Sequence, residues 1–142
     1  MAYANYRFLL IAAVSSVTAA AAPASPQNRS PAEVVMAYVD AANNHDLDAF
    51  LALYAPDIRK YQFPATFAAS GRDHFKAVYT KSFAQKTEIR VTVVSMLTLG
   101  DKVVSRDHVT GLPGGKSADE LTVYQVADGL ITNITYVDRV EY

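Results

Sequence analysis

Apolar residues along this chain recur first at helical spacing and then, from Glu88 onward, at every second position. Val35, Tyr38, Val39 and Ala42 fall at i, i+3, i+4 and i+7, which places them on one buried stripe of a helix. Ser30 precedes that stripe with Glu33 three residues on, a capping box whose side chains satisfy the free N–H groups of a first turn, and Pro31 suits the first helical position. After Asn43-Asn44, Leu47, Phe50, Leu51 and Tyr54 repeat the spacing, with Asp46 or Asp48 to cap this second helix and Pro56 to stop it. Ile58 to Phe63 reads as a short strand ended by Pro64, and residues 65–70 as loop. A third helix follows Gly71, with Phe75, Val78, Tyr79 and Phe83 on one face.

In the second half, Ile89, Val91, Val93, Leu97 and Leu99 share one predicted strand face, opposite Glu88, Arg90 and Thr92. Gly100-Asp101, Pro113-Gly114-Gly115 and Asp128-Gly129 mark three turns. The last is the strongest, because a two-residue hairpin requires positive φ at both positions and Asp-Gly tolerates it. Strands are therefore expected at about residues 88–99, 102–111, 118–127 and 130–140. A two-helix hairpin, a short strand, a third helix and then a curved four-stranded antiparallel meander make an α+β domain in which helices cover one face of a twisted sheet and enclose a hollow.

The first thirty residues do not fit that pattern. Arg7 precedes an apolar run from Phe8 to Ala22 that ends in small residues, the arrangement of a cleavable secretion signal. The run is about 15 residues where a membrane span needs roughly 20, and Ser15, Ser16 and Thr18 dilute it. Residues 1–24 are read as the signal, with cleavage after Ala24, residues 25–30 as a linker, and 31–142 as one domain. The mature protein is expected outside the cytoplasm, periplasmic or secreted, with no stable membrane span. Cysteine is absent, so such a domain must be held by its core alone. A formal charge of -1 gives no field to attract nucleic acid.

The order of elements, together with the run from Tyr38-Val39-Asp40 through Asp46-Leu47-Asp48 to Tyr54-Ala55-Pro56-Asp57, resembles the SnoaL-like and ketosteroid-isomerase-like families of the nuclear transport factor 2-like (NTF2-like) superfamily. The likeness covers about residues 31–140. It implies a cone whose interior takes a small hydrophobic or aromatic molecule, without a cofactor, in a chain that pairs into a homodimer through its exposed sheet face. In the isomerase branch a helix-one tyrosine and a protonated aspartic acid hold an oxyanion while a carboxylate shuttles a proton. By that resemblance Tyr38 takes the tyrosine's place, Gln62 the shuttling carboxylate's and Thr122 that of the second donor. A glutamine cannot exchange protons near neutral pH, so a steroid isomerase of that mechanism is not expected.

The residues offer other chemistry. Asp107 and His108 lie within the second long strand, where either could serve as acid or base, but alternation sends neighbours to opposite faces and only one can look inward. His108 is the residue expected inside, with Arg106 and Asp107 on a solvated face. Tyr38 is a hydrogen-bond donor to a ligand or a packed core tyrosine, and Tyr61, Phe63, Phe67 and Tyr124 supply an aromatic lining for the cavity or its mouth. His45 and His74 have no partners at metal-binding intervals, so no metal site is expected. Two functions follow: an exported binding domain, or a cofactor-free isomerase, cyclase or hydrolase using Tyr38 with His108 or Asp107. A purely structural dimer is a third.

Overall fold

A computed structural model describes residues 29–142 apart from Lys86; the proposed signal and most of the linker lie outside the described residues. Helix α1 spans Pro31–Asn43, and the capping box at its start is formed, with the Ser30 hydroxyl accepting from the Glu33 N–H and the Glu33 carboxylate accepting from the Ser30 N–H at 2.7 Å. Helix α2 is Leu47–Ala52, capped by Asp46, whose carboxylate accepts from the Ala49 N–H at 2.9 Å. Strands β1 (Tyr54–Gln62) and β2 (Thr66–Ser70) form a hairpin, and α3 covers Arg72–Ala84. Four long strands complete the chain: β3 (Arg90–Leu99), β4 (Lys102–Leu112), β5 (Lys116–Ala127) and β6 (Leu130–Glu141).

The sheet has six strands in the order β2-β1-β6-β5-β4-β3, antiparallel throughout except that β1 runs parallel to β6. This corrects the four-stranded expectation. The meander strands lie where the period-two pattern put them, and Asp128 and Gly129 take φ of 52° and 74°, as the tight hairpin between β5 and β6 demands. The additions come from long-range pairing. The second helix stops at Ala52 because Tyr54 pairs with Ile131 of β6, and Pro56, which cannot donate to a ladder, falls where the β1–β6 register slips. Residues 66–70, expected as loop, become β2 by pairing back onto β1.

The helices pack on one face. Val34, Val35, Phe50, Leu51, Tyr54, Ile58, Phe75, Val103, Tyr124, Val126, Ile131 and Ile134 make the main core, and full burial of such side chains stabilises the fold by about 1.5–3 kcal/mol each before chain entropy is counted. On α3, Phe75, Tyr79 and Phe83 pack inward while Val78 is exposed, contrary to its expected place on that face. A bulge on β3 also reverses an expectation: Val93 pairs with Asp107 but Ser95 pairs with Arg106, so one extra residue switches the alternation. Met96 turns inward, and Leu97 and Leu99 emerge on the outer face at 69% and 82% exposure.

Candidate functional site

The inner face of β4 carries Val103, Ser105, Asp107 and Val109, all buried. Asp107, not His108, therefore looks into the cone. His108 lies on the opposite face beside its ladder partner Asp119, with Nδ1 2.9 Å from the Asp119 carboxylate and the Tyr142 ring stacked on the imidazole. The parity is set by Val103 and Val109, which the helices and the sheet's own curl bury, and Asp107 follows them inward.

A cavity of about 130 Å³ lies between α1 and the sheet, walled by Tyr38, Asp107, Glu120, Thr122, Tyr124 and Tyr136 together with Val39, Ala42 and Val91. Its polar groups come from neighbouring ladder positions: Asp107 faces Glu120 across β4–β5, and Thr122 faces Tyr136 across β5–β6. The Ser105 hydroxyl donates to the Asp107 carboxylate. Burial nevertheless raises the Asp107 pKa, with the Ser105 hydrogen bond acting against it. Burial also raises that of Glu120, opposed by Arg139, whose guanidinium donates to the Glu120 carboxylate at 2.8 Å. Tyr38 shares a hydrogen bond of 3.1 Å with the Tyr54 hydroxyl, and burial lifts its pKa well above the phenol range, so it stays protonated and available as a donor.

Glu120 and Tyr136 also wall a larger groove of about 520 Å³ that Gln62, Val137, Asp138 and Arg139 complete. Cavity and groove thus share a wall. Of the residues singled out by sequence, Tyr38, Asp107, Thr122 and Tyr124 meet at the cavity and Gln62 at the groove. Tyr61, Phe63 and Phe67 stand apart: Tyr61 packs on Phe67 at 5.8 Å, and Phe63 and Phe67 are more than half exposed on the β1–β2 hairpin. Strand alternation explains it, since Ile58 and Lys60 are buried on the inner face, Gln62 continues that side at its exposed end, and Tyr61 falls on the other.

Sequence reasoning passed over Glu120, Tyr136 and above all Lys60. Lys60 is 4% exposed, and its Nζ donates to the Tyr79 hydroxyl at 2.7 Å and toward that of Tyr136 at 3.4 Å. Rings surround it, with centroids at 4.5 Å for Phe75, 4.8 Å for Tyr79, 5.1 Å for Tyr54 and 5.9 Å for Tyr136. Among the described residues no Asp or Glu pairs with it. Loss of hydration lowers its pKa to about 7. The period-two signal Ile58-x-Lys60-x-Gln62 was the available clue.

Comparison with known proteins agrees with this architecture. Many solved structures share the fold, among them the following three. A cystatin-fold protein from Novosphingobium aromaticivorans matches at a TM-score of 0.69 and 18% identity, over 78% of this chain and 100% of that one. RV0760c from Mycobacterium tuberculosis, in complex with estradiol-17beta-hemisuccinate, matches at 0.65 and 20%, over 76% and 93%. A computationally designed 17-OHP binder matches at 0.64 and 19%, over 80% and 98%. No curated protein matches the sequence. The family model of the SnoaL-like domain matches residues 35–134, from the first helix to the last strand, and the chain belongs to that family, on the NTF2-like fold.

Proposed function

We propose that this protein is an exported binding domain that takes a small hydrophobic or aromatic molecule bearing a hydroxyl or carbonyl group into its cone. The observation that carries the reading is the cavity itself: apolar Val39, Ala42 and Val91 and the ring of Tyr124 beside the Tyr38 hydroxyl, with a larger groove across the shared wall of Glu120 and Tyr136. RV0760c in complex with estradiol-17beta-hemisuccinate and the designed 17-OHP binder lend support as small-molecule binders on the same fold. Export through residues 1–24 and pairing through the outer sheet face, where Leu97, Leu99 and Val140 are exposed, complete the proposal. Native mass spectrometry of the secreted protein mixed with 2-naphthol tests all three parts. The expected species is a dimer beginning at Ser25 with one naphthol per subunit, and Tyr38→Phe weakens binding up to about tenfold, the net worth of one hydrogen bond. Unaltered affinity in that variant removes Tyr38 from the site, and no bound naphthol defeats the reading.

A second reading, proton transfer at the same site, is favoured by one observation: Asp107 is a buried carboxyl on the wall that Tyr38 shares. Tyr38 would donate to a carbonyl oxygen while the Asp107 carboxylate removes a proton from the adjacent carbon. Deuterium exchange at the α-carbons of 2-tetralone, followed by NMR, separates turnover from binding. Catalysis requires acceleration by the wild type and a loss of more than about tenfold in Asp107→Asn, within the usual range of a general base. Exchange at the buffer rate leaves binding alone.

A further inference from the structure

Lys60 has no part in the ligand reading above, yet a long flexible cation buried without a carboxylate is costly unless it has work to do. We infer that Lys60 is an amine site that condenses reversibly with an aldehyde or ketone entering by the groove at Gln62 and Tyr136.

Three features of the geometry support it. Position comes first: Gln62, two residues along the same inner face of β1, forms part of the groove wall and pairs in register with Tyr136, while Lys60 pairs with Ile134 just behind. The Lys60 backbone therefore lies one residue pair, about 6.6 Å of strand, behind the groove wall. Tyr136 is the partition, with its hydroxyl on the Nζ side at 3.4 Å and its side chain in the walls of both groove and cavity. Access to Nζ requires this half-buried tyrosine to swing aside.

Chemistry comes second. The lone pair of Nζ attacks the carbonyl carbon, and the C=O π electrons move to oxygen. A phenol of Tyr79 or Tyr136 passes a proton to that oxygen and recovers one from nitrogen, leaving a neutral carbinolamine. Loss of the new hydroxyl with the remaining N–H proton, as water, gives the imine. No oxidant, reductant or further reactant enters.

The third feature is the protonation state, since an ammonium has no lone pair to offer. The titratable groups facing Nζ are all phenols, Tyr54 from β1, Tyr79 from α3 and Tyr136 from β6; Glu120 of β5 lies beyond Tyr136 in the shared wall. None of those phenols carries a negative charge near neutrality, because burial raises each above its ordinary value. Among the described residues no carboxylate holds the proton on nitrogen, and loss of hydration brings the Lys60 pKa down to about 7 against the rings and hydroxyls that favour the ammonium, so the free amine is present near neutrality.

The test uses the full domain and 2,4-pentanedione, a diketone whose lysine imine tautomerises to an absorbing vinylogous amide after loss of one water. At pH 7.5, peptide mapping is expected to find Lys60 modified at least about tenfold faster than the exposed Lys76, Lys81, Lys102 and Lys116. The Lys60 rate should climb through pH 7 and level off above about 8. Lys60→Arg should lose the fast phase; should that variant fail to fold, mapping of the wild type decides alone. Adducts confined to exposed lysines, or a Lys60 rate that rises in parallel with theirs, overturn the inference. Naphthol binding is read separately, so either result stands without the other.

Discussion

Lys60 and Asp107 are both buried ionisable groups on the inner face of one sheet, and their surroundings differ in a telling way. Around Lys60 there are ring faces and two hydroxyls. Around Asp107 there is a donated hydrogen bond from Ser105 and, across the ladder, a second carboxyl that Arg139 has partly neutralised. Neither end of the interior forms an ion pair between buried partners. Desolvation drives each toward its uncharged form, the amine by shedding a proton and the carboxyl by keeping one. The interior is thereby biased toward neutral side chains at both ends.

The larger test of this comparison is at Lys60. Its folded-state pKa lies below the unfolded value near 10.4, so between about pH 7 and 10 the unfolded chain binds more protons and stability must rise with pH. Urea unfolding at pH 7 and pH 9.5 is expected to show a gain of roughly 2 kcal/mol in the wild type, the upper limit of the window being set where unfolded tyrosines begin to ionise. Lys60→Met, which keeps the length and places a thioether among the rings, should be more stable at pH 7 by a similar amount and lose that slope. A flat wild-type profile would mean the amine stays hydrated and the contrast between the two ends is void.

The smaller test is at Asp107, where the sign reverses. A raised folded-state pKa means that the folded chain binds more protons as pH climbs from about 4, so this group's contribution is most favourable in acid and falls as pH passes through the folded value. Asp107→Asn retains an acceptor for Ser105 and removes the charge; added stability at pH 7 that shrinks toward pH 4 is expected in the same unfolding assay. Equal destabilisation at both pH values would show that the carboxyl matters for its hydrogen-bond geometry alone.

The meander was legible because local chemistry dictates it: Asp128-Gly129 accepts positive φ, and each flanking segment alternates. What escaped depends on partners distant in sequence. Tyr54 continues the spacing of Leu47, Phe50 and Leu51, and only its pairing with Ile131 makes it a strand residue. Val93-Val94 is apolar at both positions, so the bulge there left no mark on the pattern and Leu97 and Leu99 were placed on the wrong face. On β4 the alternation was visible but its phase was not: whether Asp107 or His108 turns inward is settled by which face the helices cover. Lys60 fell to a different cause, since lysine is almost never fully buried and an alternating pattern containing one is ordinarily read as solvent-facing.

The junction between α1 and β3 has a consequence for how the sheet ends. Asn43, the last residue of α1, accepts from the Val91 N–H and donates to the Val91 carbonyl, both at 2.8 Å, so a side-chain amide occupies the ladder position that a seventh strand would take. At this edge of the sheet β3 is thereby plugged at its entry, and a foreign extended segment could seat on this strand only further along, beyond the bulge at Val94, where twist makes propagation of a fibril unfavourable.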